Sequence, residues 1–312
     1  MLVVGQKEEE LGREIETYCR IALANGSMLT VEQLAQVIDV DASRSEIEEI
    51  IRSTPLLRSK LRLESGYVME RSEDMAPEQV QAEIEEEAEN QRRAVENLKT
   101  ARTFALSLSP RSRMTAVGGT NSYLSARKND DIDLFCIAKT DTMWILMLES
   151  LAKARIFGLT HKGTPPICLS FVMDDRWAAD EFGKPRDAMF ARDLLTSKVI
   201  SGGGVYNDFI RRAGWMKSLF PRLYSARLSK KAEGPEATAK GPTPALTRIA
   251  NRYLFATLGG YIVLKAWLLN RRFAKEGHLE QVFTTDIGKD HLIYESNRYR
   301  MIRRMYDSLR LS

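Results

Sequence analysis

Residues 115–137 constrain the fold more than any other stretch of the chain. They read as a short apolar strand, a turn at Gly118 and Gly119 and, about a dozen residues later, a second strand that begins near Asp131. Side chains alternate between the two faces of a strand, so Asp131 and Asp133 are expected on one face. The apolar residues that alternate with them are expected to point into a core.

The two neighbouring carboxylates predict a cation site. Two like charges on one strand face repel each other unless a cation lies between them. Mg²⁺ commonly takes one or two carboxylates together with phosphate oxygens of a substrate. Asp131 and Asp133 are therefore the candidate ligands for Mg²⁺ or Mn²⁺, and the candidate catalytic residues. A D-x-D pair alone is common on exposed strand edges, so the prediction depends on the glycine turn beside it.

The glycine turn predicts a phosphate-binding loop. Gly118 and Gly119 carry no Cβ, so the backbone can turn sharply and a phosphate can approach its N–H groups. Thr120, Asn121 and Ser122 add short hydrogen-bond donors beside the turn. These five residues are the predicted nucleotide-binding residues. A phosphate loop joined to a carboxylate pair is the equipment that phosphoryl transfer requires.

The motif resembles that of a known superfamily. Gly119-Thr120 followed by Asp131-Ile132-Asp133 is similar to the G-S…D-x-D signature of the DNA polymerase beta-like nucleotidyltransferases, with Thr in place of Ser. Four later segments resemble one prokaryotic branch of that superfamily: residues 167–171, 192–195, 209–223 and, more weakly, 283–286.

The resemblance implies an enzyme that moves a nucleoside monophosphate from an NTP to an acceptor hydroxyl. The acceptor stays open among an RNA end, a protein side chain and a small molecule. Superfamily members often supply a third carboxylate from the strand expected here at residues 167–173, where this chain has Ser170 and no acid; Asp174 follows the strand. The missing acid leaves a second hypothesis open: a catalytically silent module that binds nucleotide and has a regulatory role or binds nucleic acid or a protein partner.

Residues 1–75 predict a winged-helix-like module. Helical patterns cover residues 8–24 and begin again near Thr30 and at Ser43 or Ser45, and a hairpin turns at Gly66. This motif commonly places its third helix in DNA. Here the third helix is rich in glutamate, and carboxylates repel phosphates, so we expect a protein-contact or structural role rather than sequence-specific DNA binding.

The remaining chain predicts three further segments. Residues 76–228 are expected to form the nucleotidyltransferase core, 229–245 a flexible loop and 246–312 a helical C-terminal region. In the core, a helix is predicted from Pro77 to about Leu106, with a solvated first half and a second half that packs through residues such as Val95. Further core helices are predicted at 144–156, largely buried, and at 187–196 and 206–219. Residues 201–204 are predicted to form a turn that no strand precedes. Arg192, in the helix at 187–196, is a candidate contact for the triphosphate.

The most apolar segment, residues 246–273, approaches the length of a membrane span. Gly259 and Gly260 interrupt it and Lys265 lies inside it. A buried helix therefore fits better than a span, and no membrane-spanning segment is expected.

Composition narrows the class of protein. Hydrophobic content of 44% and charged content of 28% are typical of a soluble globular protein. The net charge of +4 is uneven, with basic segments at 211–231 and 298–310 that favour a polyanionic partner or balance the acidic stretch 78–96. Three separated cysteines predict buried thiols, and with the charged N-terminus they predict a cytoplasmic protein. The sequence as a whole predicts an α+β protein: a small mixed β-sheet nucleotidyltransferase core flanked by helices, an N-terminal winged-helix-like module and a helical C-terminal region.

Overall fold

The structure is a computed structural model, and it shows an α+β protein in which helices surround a central mixed sheet. It describes residues 4–24, 27–72, 75–108, 111–161, 163–230, 234–235 and 241–311. Of the predicted flexible loop at 229–245, residues 231–233 and 236–240 lie outside the described residues.

The N-terminal region contains four helices and a three-stranded sheet of order β1-β3-β2. Its elements are α1 (Val4–Ala24), β1 (Leu29–Thr30), α2 (Val31–Val37), α3 (Arg44–Ser53), α4 (Pro55–Lys60), β2 (Leu61–Glu64) and β3 (Tyr67–Glu70). Thr30 and Ser43 begin α2 and α3 with complete capping boxes, so the two predicted helix starts are confirmed. The hairpin predicted around Gly66 is also confirmed, as β2 and β3.

The second region contains the strands that carry the predicted site. Its elements are α5 (Pro77–Leu106), β4 (Ser112–Val117), α6 (Gly119–Ser122), β5 (Ile132–Ala138), α7 (Met143–Thr160), β6 (Ile167–Asp174), α8 (Asp175–Phe182), α9 (Ala188–Thr196), β7 (Lys198–Ser201), α10 (Gly203–Arg212), α11 (Met216–Leu219) and α12 (Pro221–Ser229). The third region contains α13 (Ala245–Leu254), a π-helical turn (Phe255–Gly259), α14 (Gly260–Glu276), a 3-10 turn (Leu279–Gln281), β8 (Phe283–Ile287), β9 (His291–Ser296) and α15 (Asn297–Leu311).

The central sheet has six strands in the order β7-β4-β5-β6-β9-β8. Strands β5 and β6 are parallel, and the other neighbouring pairs are antiparallel. The C-terminal region was expected to be helical, but β8 and β9 extend the sheet past β6. Aromatic and β-branched residues at 283–285 and 293–294 favour strands and are the sequence signal for this pair.

Helix α5 has the predicted bounds but not the predicted faces. Glu87 and Asn90 are buried although they lie in the half expected to be solvated, and Val95, expected to pack, is 44% exposed. The buried side is polar because it hydrogen-bonds the loop after β4: Asn97 Nδ2 donates to Asn121 Oδ1 at 2.8 Å. Helix α5 therefore supports the predicted site through hydrogen bonds as well as apolar packing.

The segment after β7 differs from its prediction. A strand, β7, does precede the glycines at 202–204, and the helix expected over 206–219 is two helices, α10 and α11. Gly202 has φ +71°, and a Cβ there would lie 2.0 Å from the backbone oxygen of Arg113 on β4. The glycine is thus required by close packing of this turn against the sheet.

Two apolar helices are more exposed than their composition predicts. In α7, Trp144 and Met147 are buried, but Leu159 is 74% exposed, so the helix is only half buried. One continuous helix, Ala245–Glu276, is long and apolar enough among the described residues to cross a membrane by length and composition alone, and only 17% of its most apolar window is buried. The prediction of a buried helix at 246–273 is wrong, because apolar composition does not decide which surface finds a partner.

The N-terminal region packs directly on the second and third regions. The rings of Tyr18 and Tyr306 meet edge to face at 6.1 Å, within one continuous apolar core. Gln33 Nε2 donates to the backbone oxygen of Tyr123, 3.2 Å away, in the loop after α6. The N-terminal helices therefore contact the segment that carries the predicted phosphate loop.

Candidate functional site

The predicted acid pair lies where β5 begins, beside the start of β6. Asp133 pairs in register with Cys168 on β6, and Asp131 directly precedes β5. One carboxylate oxygen of Asp131, one of Asp133 and the Sγ of Cys168 all lie within 4.8 Å of one another. The strand alternation thus brings both carboxylates to one face and adds a thiol from the neighbouring strand.

The glycine turn closes over the same point. The N–H of Gly118 donates to the backbone oxygen of Asp133 at 3.0 Å, which holds the turn against β5. Gly119 has φ +59°, and a Cβ at this position would lie 2.7 Å from Asp133 Oδ2. Only glycine leaves that space free beside the carboxylate, whereas a Cβ at Gly118 would meet nothing within 4 Å.

The other three predicted phosphate-binding residues build the loop. Thr120 Oγ1 donates to Asp130 Oδ2 at 2.8 Å, and Ser122 Oγ donates to the backbone oxygen of Gly119 at 2.8 Å. Asn121 is fully buried and donates to the backbone oxygen of Asp131 at 2.8 Å. Their polar groups are directed into the loop, so they position Asp131 and Gly119 and do not line the cavity in front of the acid pair.

A cavity of about 720 Å³ opens in front of the acid pair. Its lining includes the glycine turn, the two carboxylates, Cys168 and Ser170. Most of the remaining wall is apolar and is supplied by β5, β6, α7, α9 and α14. Lys265 on α14 is the one Lys or Arg among the described residues that line it. The volume falls in the range of small-molecule sites.

Burial and mutual repulsion act on the acid pair. Burial, and then the charge of Asp131, raises the pKa of Asp133 to about 7. Burial also raises the pKa of Asp131. Among the described residues, neither carboxylate forms an ion pair with a basic side chain. Two neighbouring, partly buried acids without a counter-charge are costly to ionise, and a bound cation would remove that cost.

A third carboxylate, which the sequence reasoning missed, comes from α9. Asp193 lines the same cavity and accepts a hydrogen bond from the Tyr123 hydroxyl. Burial raises the pKa of Asp193 to about 6. Its charge also contributes to the raised pKa of Asp133. The sequence held a signal: Phe190, Asp193, Leu194 and Ser197 follow helical spacing and share the cavity face.

Two β6 residues also face the site. Cys168 was expected to be a buried apolar residue, but it is only partly buried and its thiol joins the acid cluster. Burial raises the pKa of Cys168 well above its usual value, which keeps the sulfur protonated. Ser170 lies two residues on and lines the cavity, as the strand period requires. That period was the sequence signal for Cys168, since it places Cys168 on the same strand face as Ser170.

Two other candidate residues serve the fold. Asp174 Oδ1 accepts from the backbone N–H groups of Arg176 at 3.1 Å and Trp177 at 2.9 Å, and so caps α8 at the far end of β6. Arg192, a candidate triphosphate contact, is buried with its guanidinium 4.5 Å from the centre of the Tyr123 ring, and it does not line the cavity.

The residues present fit a hard divalent cation. Asp131 and Asp133 offer carboxylate oxygens close enough to share one ion, which are the donors that Mg²⁺ and Mn²⁺ prefer. The protonated thiol of Cys168 is a poor ligand for such an ion and leaves the two acids as the donor set.

Comparisons of the chain with protein-family models, with curated proteins and with solved structures each find no match. The superfamily resemblance therefore depends on the motif and the later segments of the sequence itself.

Proposed function

We propose that this protein is a Mg²⁺-dependent nucleotidyltransferase that moves a nucleoside monophosphate from an NTP to an acceptor hydroxyl. One observation carries the proposal: two neighbouring carboxylates without a basic partner face a glycine turn that leaves the space beside Asp133 free. Carboxylates that hold a cation, next to a backbone open to phosphate, are the common parts of phosphoryl-transfer sites. The acceptor stays open among an RNA end, a protein and a small molecule.

The roles follow from position in the cavity. Asp131 and Asp133 hold the divalent cation, which when bound supplies charge neutralisation at the triphosphate oxygens. Gly119 leaves the backbone open to the phosphates, and Gly118, whose N–H donates to the backbone oxygen of Asp133, holds the turn in place. Lys265 is the cation of the cavity wall that can contact a phosphate. The apolar wall offers a surface for the base.

Asp193 is the group suited to take the proton of the acceptor hydroxyl. Its pKa of about 6 lies close to the operating range that a general base needs. In the transfer, the acceptor oxygen forms a bond to the α-phosphorus while the bond from that phosphorus to the bridging oxygen breaks. Pyrophosphate leaves with the bridging oxygen and its electron pair. The hydroxyl proton passes to Asp193 and then to solvent.

The N-terminal region is proposed to be a winged-helix-like module that makes structural or protein contacts. In α3, Arg44 pairs with Glu32 and Glu48, and Glu46 pairs with Lys7 at 2.8 Å. Charges that are paired within the module are not available to phosphates, which favours a role other than sequence-specific DNA binding.

A second candidate function is a catalytically silent module that binds nucleotide. The observation that favours it lies on β6, where Cys168 and Ser170 take the cavity positions at which the resemblance implies an acid. In that case the protein binds an NTP but transfers no nucleoside monophosphate to an acceptor.

Turnover separates the two candidates. Purified protein is incubated with labelled NTPs, Mg²⁺ and cell RNA or lysate, and transferred label and released pyrophosphate are measured. We expect both products, and we expect K265M to raise KM for the NTP about tenfold with a smaller change in kcat. Calorimetric nucleotide binding without turnover would favour the silent module, and no nucleotide binding would contradict both candidates.

A further inference from the structure

The helix Ala245–Glu276 presents an unpartnered apolar surface. Among the described residues, twelve of the seventeen large apolar side chains that are exposed belong to this helix or to α7, against which α13 packs. Eight of them lie on the helix itself: Leu246, Ile249, Tyr253, Tyr261, Val263, Leu264, Trp267 and Leu268. A contiguous apolar patch of this kind marks an interaction surface.

The exposed residues form a stripe along one side. Leu246, Ile249 and Tyr253, and then Leu264 and Trp267 farther along, follow the three- and four-residue spacing of one helix face. At 1.5 Å per residue the helix is about 48 Å long. The exposed fraction is 77% at Leu246 and still 51% at Trp267, so the stripe stays open over most of this length.

The opposite side of the helix is fixed to the body of the protein. Asn251 Oδ1 accepts from the N–H of Trp144 at 2.8 Å near one end. Asn270 exchanges two hydrogen bonds with the backbone of Phe283 near the other, at 2.7 and 3.1 Å. Ile262 is buried between them. A helix that is fixed along one side cannot be surrounded by lipid, so whatever covers the stripe must lie against it rather than enclose it.

The charges on the helix identify the kind of partner. Apart from Lys265, which lines the cavity, five of its residues are basic: Arg248, Arg252, Arg271, Arg272 and Lys275. Its one acid, Glu276, is paired with Arg272 at 2.8 Å. The guanidinium of Arg271 lies 4.7 Å from the centre of the Trp267 ring, so an apolar side chain and a cation share the edge of the stripe.

We propose that this face docks on an anionic membrane surface, with the stripe in the interfacial region and the basic residues beside lipid phosphates. An exposed apolar stripe with Trp and Leu, flanked by Arg and Lys, is the composition of helices that lie in a membrane interface. A second copy of the chain fits less well, because two such helices would bring basic residues against basic residues.

Vesicle binding of the full chain tests the proposal. The probes are vesicles of phosphatidylcholine alone and of phosphatidylcholine with 30 mol% phosphatidylglycerol, measured by co-sedimentation and by Trp fluorescence. We expect binding to the anionic vesicles at least tenfold tighter than to the neutral ones, with a blue shift that W267F lacks. R252Q/R271Q should weaken anionic binding about tenfold.

The double variant L264E/L268E should abolish vesicle binding, and V95E should not. Val95 is also an exposed apolar residue, but it lies on α5, so V95E controls for the added charge. Circular dichroism confirms that each variant is folded. The proposal is overturned if wild type ignores anionic vesicles, or if L264E/L268E binds them as wild type does. It is also overturned if wild type is a dimer that L264E/L268E dissociates while neither protein binds lipid.

Discussion

Both ends of the β5–β6 strand pair carry aspartates, but only those at one end have capping or ion-pair partners. At the start of these strands, Asp131 and Asp133 lie side by side, partly buried and, among the described residues, without a basic partner. At their other end, Asp174 caps α8 through backbone N–H groups, and Asp175 pairs with Arg113 at 2.6 Å. Carboxylates that have hydrogen-bond or ion-pair partners thus stabilise the fold, while a carboxylate pair without a counter-charge indicates a ligand site.

The largest expected difference between the two ends is in catalysis. Replacing Asp133 by Asn removes a cation ligand and should lower NTP turnover at least about 1,000-fold, as expected when a group essential to phosphoryl transfer is lost. Asp174→Asn keeps the side-chain shape at the far end and should leave turnover within about twofold. Initial rates of pyrophosphate release are measured for the two purified variants. Equal losses of turnover in both would contradict the different roles assigned to Asp133 and Asp174.

The glycine turn gives the next largest effect. Gly119→Ala places a Cβ against Asp133 Oδ2 and forces alanine into a left-handed conformation, which should cost about 1 to 2 kcal/mol of stability and displace the carboxylate. Turnover should fall about 10- to 100-fold. Gly118→Ala is the matched control, because its Cβ meets nothing within 4 Å. Thermal unfolding and initial rates are measured for both, and an equal response at the two positions would contradict the assigned role of Gly119.

A smaller effect is expected where a carboxylate serves the fold. Asp174→Ala removes the two hydrogen bonds that cap α8 and should lower the free energy of unfolding by about 1 kcal/mol. The NTP turnover of the folded variant should stay near that of wild type. Urea unfolding monitored by circular dichroism measures the change. A gain in stability would show that the cap is not the dominant role of this residue.

The smallest effect is the pH dependence contributed by Asp193. Its folded-state pKa of about 6 is raised above the usual value near 3.8, so the folded protein binds this proton more tightly than the unfolded chain does. The ionised form therefore costs stability, fully above pH 6, and the cost shrinks as the pH falls from 6 towards the unfolded-state pKa near 3.8, below which it is absent. The stability of wild type minus that of D193N should be roughly 1 kcal/mol greater at pH 5 than at pH 7. A flat difference would rule out the raised pKa.

Local rules in the sequence predicted much of the fold around the site. The alternation at Asp131 and Asp133, the capped starts of α2 and α3 and the bounds of α5 depend on period and cap chemistry, which a single segment contains. Asp193 could not be placed in this way, because its position depends on how α9 packs against the sheet. The exposure of Trp267 was missed because apolar composition predicts that a helix is buried but does not show whether another surface of the protein packs on it.

Divalent-cation binding tests the central claim most directly. Mn²⁺ is titrated into the metal-free protein with a non-hydrolysable ATP analogue present, and bound Mn²⁺ is measured by electron paramagnetic resonance. If Asp131 and Asp133 hold the cation, wild type and D174N bind Mn²⁺ saturably and D131N/D133N loses that binding. Equal binding by D131N/D133N and wild type would contradict it.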